Sequence, residues 1–182
     1  MAVIQDGAGS GRLSKVDIRN RLEVNSISQS VEHFANFSDG KAAHALFTVT
    51  PDSDGNTIFY AENTGNAAMV FEGFYITTTA ACELSLRRNT TGTPVGGTDI
   101  DPVPVNTSSA YTFATTMLSG NAITGTVNGE EFFKYKTPTL NETKFVNFEA
   151  DFVLTPSKNF SMLITTAGAT IDLNFLLYEI EF

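Results

Sequence analysis

From residue 43 onward the sequence alternates between short apolar runs of strand length and clusters of turn-forming residues, with almost no stretch of helical period. That pattern leaves one way to bury the apolar side chains: strands that present alternate residues to a shared interior. Ala43 to Thr50 and Thr57 to Glu62 flank Pro51-Asp-Ser-Asp-Gly-Asn56, whose Pro, Asp and Gly favour turn geometry, so the pair reads as a hairpin. Within Ala67 to Thr79, the run Met69-Val-Phe-Glu-Gly-Phe-Tyr-Ile76 is long enough for a central strand with Gly73 at a bend or bulge. Cys82, Leu84 and Leu86 share one face of the next run. Between Asn89 and Ser108, Pro94, Pro102 and Pro104 exclude a central strand and mark a long connection. Ala110 to Val127 reads as weaker strands or a short helical turn. Glu131 to Lys136, Phe145 to Leu154, Asn159 to Thr165 and Ile171 to Phe182 all alternate or run apolar.

These runs amount to about eight strands, and the expected fold class is all-β: an antiparallel β-sandwich over residues 31–182. A jelly roll is its economical arrangement. An immunoglobulin-like sandwich is the alternative, but its Cys/Trp/Cys core markers are missing. A chain of 182 residues suffices for one sizeable core. With 17% charged residues against 42% hydrophobic, its surface is rich in neutral Thr, Asn, Ser and Gly, which suits packing against neighbours.

The net charge of −9 argues against nucleic-acid binding, because phosphate neutralisation needs clustered Lys and Arg. Neither an export signal nor an apolar stretch of membrane-spanning length is apparent, so synthesis in the cytoplasm without membrane attachment is expected. The single cysteine, Cys82, excludes an intramolecular disulfide and argues against a cysteine-based zinc site.

Residues 1–30 differ from the rest. A glycine-rich lead-in, Gln5 to Arg12, runs into the polar stretch Lys15 to Ser28. So few large apolar residues cannot offset the entropy of ordering the segment, and an extended N-terminal arm that orders on a partner is expected. Val3-Ile4 is too short to support a phosphate-binding loop at Gly7-Ala-Gly-Ser-Gly11, and no helix-period segment follows.

Other constellations carry little chemistry. Asp52-Ser-Asp-Gly-Asn56 begins like a calcium loop, but Thr57 and Asn63 stand where Gly and Glu are required. His33 and His44 have no nucleophile motif beside them. Glu149, Asp151 and Asn147 alternate onto one strand face, opposite Phe148, Ala150 and Phe152. Phe132-Phe-Lys-Tyr135 could stack on sugars, though such aromatics more often fill a sheet core. No catalytic residue, metal ligand or cofactor is expected.

Asp6, Gly7, Gly9 and Gly11, then Lys15-Val-Asp17, Asn20-Arg-Leu22, Val24, Ser26 and Ser28, and later Arg88-Asn-Thr-Thr-Gly-Thr93 follow one another in this chain. That series resembles a family of tailed-bacteriophage virion structural proteins, whose usual Pro in the later turn is Thr90 here. The resemblance implies a structural role in the particle, with a jelly-roll body attached through its N-terminal arm and no catalytic residues. On it, the expected function is that of a capsid decoration, or cement, protein: a homotrimer on the major capsid protein lattice, made in the host cytoplasm and located in the virion. Leu13, Lys15, Val16, Asp17, Ile18, Arg19, Arg21, Leu22, Val24 and Ile27 are the expected partner contacts. A tail, baseplate or fibre-anchoring component is the alternative, and a module binding host glycans a further one.

Overall fold

The computed structural model describes the backbone of Val3–Gln5, Leu13–Val16 and Leu22–Glu23, and then residues 40–137 and 141–180, the stretch 149–151 as backbone alone. The chain divides into two compact units, Met1–Ser30 and Val31–Phe182. In the first, β1 (Val3–Gln5), β2 (Leu13–Val16) and β3 (Leu22–Glu23) pair in that order as an antiparallel sheet. The expected extended arm spans residues 1–30, of which only these three strands lie within the described residues. Val3-Ile4, too short to stand alone as a strand, is held by a partner, with Val3 opposite Lys15 and Gln5 opposite Leu13. An antiparallel neighbour supplies the ladder hydrogen bonds that sequence length alone did not suggest.

The second unit is an all-β sandwich of two packed antiparallel sheets, with no helix among the described residues. Its strands are β4 (Ala42–Val49), β5 (Thr57–Asn63), β6 (Ala68–Thr78), β7 (Glu83–Arg88), β8 (Thr91–Val95), β9 (Thr98–Asp99), β10 (Val103–Pro104), β11 (Thr115–Val127), β12 (Glu130–Lys136), β13 (Lys144–Leu154), β14 (Asn159–Ile164) and β15 (Ile171–Ile180). One sheet has the order β10-β4-β15-β6-β13; the other runs β12-β7-β14-β5-β11-β8, with β9 also on β11. From β4 to β7, and again from β12 to β15, each successive strand lies in the opposite sheet. The prolines of the long connection stand where the missing amide costs least: Pro94 in β8 and Pro104 in β10, both at sheet edges. Residues 115–127, read as weaker strands or a helical turn, form one long strand.

Topology also overturns the hairpin expected around Pro51 to Asn56. β4 pairs with β15 and β10, whereas β5 pairs with β14 and β11, so this connection crosses between sheets. Both strands carry aromatic residues that gain more by facing each other than by sharing an edge: the rings of Phe47 and Phe59 stack at 5.1 Å and 2°. The turn is tied to distant chain instead. Gly55 N–H donates to the Ile164 carbonyl at 2.7 Å, and Ala167 N–H to Asp54 Oδ1 at 2.7 Å.

Between the sheets lies a phenylalanine core. Phe59 and Phe160 from one sheet meet Phe71, Phe74 and Phe175 from the other, and none of the five exposes any surface. Leu84 and Leu86 join them as the alternation of their strand requires, with Cys82 close by, while Phe132, Phe133 and Tyr135 pack against the same cluster. Those aromatics are core, not a sugar platform.

One buried polar residue locks the periphery. The Asn63 amide donates to the carbonyls of Ala67 and Leu154, each at 2.8 Å, and its Oδ1 accepts from Gly65 N–H at 3.0 Å. Asn63→Leu removes the donor to the buried Leu154 carbonyl as well as the half-buried bond to Ala67, and an unsatisfied buried group costs about 1–3 kcal/mol. Urea unfolding is expected to show the midpoint falling accordingly, with the slope unchanged.

Candidate functional site

The outward face of the β10-β4-β15-β6-β13 sheet brings exposed apolar and neutral polar side chains into ordered rows. Pairing sets Leu46 on β4 opposite Asn174 on β15, Asn174 opposite Tyr75 on β6, and Tyr75 opposite Phe145 on β13. One step along, Thr48, Asp172 and Thr77 form a second row. Because side chains alternate, the inward neighbours Phe47, Leu173 and Ile76 anchor these strands in the core while the rows face out.

Leu46 (59% exposed), Tyr75 (40%) and Phe145 (44%) are large apolar side chains left accessible on one surface. The rings of Tyr75 and Phe145 pair at 4.8 Å with 40° between their planes. Gly73, at the expected bulge, makes this possible: the register of β15 against β6 shifts beside it, and its bare backbone lies 3.1 Å, measured from where a Cβ would sit, from the end of the Phe145 ring.

The polar side chains of both rows are bonded to one another and to neighbours on the same face. Thr48 donates to Asp172 Oδ1 at 2.6 Å, the hydroxyls of Thr77 and Thr143 lie 2.8 Å apart, and His44 Nδ1 is 3.0 Å from Asn174 Oδ1. Between the rows is a shallow cleft of about 630 Å³, in which Asp172 is the one charged lining side chain among the described residues. Carboxylate, amide and hydroxyl groups each keep hydrogen-bonding capacity beyond one bond. Such a set can bind and orient a ligand that offers both hydroxyls and an apolar face.

The outward side of the second sheet is different in kind. Glu83 holds Lys134 at 2.6 Å and Lys136 at 3.1 Å, and those hydrogen bonds, Lys134 first, keep its carboxyl below the usual range. Arg88 pairs with Glu130 at 2.9 Å and Arg87 with Glu131 at 3.6 Å. Exposed pairs of this sort add little stability, but lysines on the edge strand β12 discourage pairing with another chain. Burial pushes the Cys82 thiol up, so it behaves as a small hydrophobe.

Of the expected partner contacts, Leu13, Lys15 and Val16 lie on β2 and Leu22 on β3, with Val16 opposite Leu22 and Lys15 opposite Glu23. Asp17, Ile18, Arg19, Arg21, Val24 and Ile27 lie outside the described residues, as does His33. Asn147 is exposed and Phe148 buried, as alternation requires; the side chains of Glu149 and Asp151 lie outside the description. No group of three or more potential metal-ligating side chains occurs among the described residues. The Leu46-to-Phe145 row escaped the sequence reading because its four members come from four strands, all far apart in sequence. Each looked like an ordinary exposed position of its own run.

Comparison of the chain with protein-family models, curated proteins and solved structures gives no match.

Proposed function

We propose that the protein is a non-catalytic structural component of a tailed-bacteriophage particle, acting as a capsid decoration protein that binds the major capsid lattice as a homotrimer. What carries this reading is the division of the chain into a small N-terminal unit, which holds the Lys15-to-Ser28 pattern of the virion resemblance, and a separate sandwich. The two are electrically unlike. Residues 1–30 hold four basic and three acidic side chains, while residues 31–182 hold seven basic and seventeen acidic. A near-neutral, Arg-containing segment on an acidic body gives an attachment element that its own body does not repel from an acidic partner. The alternation of consecutive strands between the two sheets supports reading the sandwich as a jelly roll.

The mechanism is binding energy alone. A ligand of the assembled shell stabilises that shell by mass action, without any chemical step. Removal of residues 1–28 is the test. The truncated sandwich is expected to keep its thermal transition while failing to co-sediment with particles; loss of folding would make the N-terminal unit part of the core and overturn the attachment model. Copy number in purified particles separates the locations: a lattice-covering number fits decoration, whereas a few copies per particle would assign the protein to the tail or baseplate.

A further inference from the structure

We infer that the cleft on the outward face of β4, β15 and β6, bounded by Thr143, is a binding site for a neutral glycan. The inference rests on the geometry of that face and not on the virion reading. A pyranose ring presents a patch of C–H groups on one side and hydroxyls around its rim. A site for it needs an exposed aromatic face with hydrogen-bonding groups in the same plane, the usual division of labour in small-ligand sites.

Both parts are present in register. Tyr75 lines the cleft and supplies the aromatic surface at one end, with the Phe145 ring packed beside it just outside the lining. Asn174 stands directly opposite Tyr75 on the neighbouring strand, and Asp172 lies two residues along the same strand face. Thr48 and Thr77 flank Asp172 from either side, so carboxylate, amide and hydroxyl groups line the strip beside the rings. The cleft volume of about 630 Å³ falls within the range of about 300–1,000 Å³ usual for small-molecule sites.

Charge selects among glycans. Among the described residues Asp172 is the single charged lining group, so none of them offers a cation to a sialic acid, a sulfate or a phosphate, and the carboxylate repels such anions. Lys144, the basic residue of β13, is held by Glu142 at 2.6 Å. A neutral, hydroxyl-rich ligand pays no such penalty, and hydrogen bonds from its hydroxyls to an ionised carboxylate are the stronger kind. A docked protein segment is the competing occupant. It is disfavoured because Asn174, between Leu46 and the aromatic pair, and the Thr48-Asp172-Thr77 row beside them break up the continuous apolar surface that the core of a protein interface uses.

The test is retention of the full-length protein on immobilised neutral oligosaccharides of glucose, galactose, mannose and N-acetylglucosamine, alongside sialylated and sulfated ones. Retention is expected on at least one neutral oligosaccharide and on none of the anionic ones. Tyr75→Ala should weaken it about tenfold, the equivalent of losing one aromatic stacking contact. Tyr75→Phe should restore most of it, and Asp172→Ala should weaken it without altering the thermal transition. No retention on any neutral glycan would overturn the inference, as would retention that Tyr75→Ala leaves unchanged. Loss of particle attachment in Tyr75→Ala, with no glycan retained by the native chain, would assign the face to a protein partner instead. Particle attachment that depends on residues 1–28 alone leaves the glycan result standing, so the two readings fail separately.

Discussion

Phe175→Ala is expected to lower the free energy of unfolding by about 3–5 kcal/mol, the range for truncating a buried phenylalanine in a packed core. Phe175 sits on the central strand β15, and its ring meets Phe59 at 4.8 Å, Phe74 at 5.4 Å, Phe71 at 5.8 Å and Phe160 at 6.1 Å. Two of those partners belong to the opposite sheet. Removing the ring therefore opens a cavity at the point where the sheets touch, and rigid neighbours on both sides cannot close it. Against a total stability of about 5–15 kcal/mol, this is a large share. Urea titration should show the midpoint falling sharply. Phe145→Ala is the control, because a ring 44% exposed has less burial to lose; its effect should stay within about 1 kcal/mol. Equal losses for the two variants would mean that the core is not where the ring contacts put it.

Gly73→Val is expected to cost about 3 kcal/mol and to distort the outward cleft as well. A Cβ at this position would overlap the Val146 carbonyl oxygen and come within 3.1 Å of both Asn147 Cα and the Phe145 ring. The obstructing atoms are mostly backbone of the neighbouring strand, which cannot rotate away, so β13 must shift. Asn147 opposite Gly73 and Phe145 opposite Tyr75 share that strand, and the shift carries the aromatic pair with it. Thermal unfolding should reveal the lost stability. Near-ultraviolet circular dichroism should report the changed surroundings of Tyr75, and Gly73→Ala should show a smaller version of both effects. A valine variant with native stability would place β13 farther from β6 than the pairing requires.

The run Met69 to Ile76 shows what the sequence could convey. Its apolar content marked a central strand, its glycine marked the irregularity, and both hold because each is a local property of the chain. The alternation of Cys82, Leu84 and Leu86 was legible for the same reason. Pairing was not. Pro51 to Asn56 has good turn chemistry, yet turn residues describe how the chain bends and not which strand it returns to; that choice came from Phe47 and Phe59 facing each other across the core. The short strand Val3–Gln5 was missed because its stability comes from a partner eight to twelve residues away. The cleft was illegible for a deeper reason: Leu46, Asn174, Tyr75 and Phe145 become neighbours only through the pairing of four strands, and no local signal announces that row.

β15 is the last strand in chain order, yet it lies between β4 and β6, so His44 and Asn174, 130 residues apart, end in contact. On the ribosome, β4 emerges first and waits roughly ten seconds for its neighbour at ordinary translation rates. Throughout that interval β4 and β6 hold unpaired backbone edges, the kind that join to another unfinished chain. Closing so long a loop also slows the search for the native pairing. Completion of the sheet is thus a late event in the life of the chain: the outward rows of side chains are assembled only when β15 slots between β4 and β6.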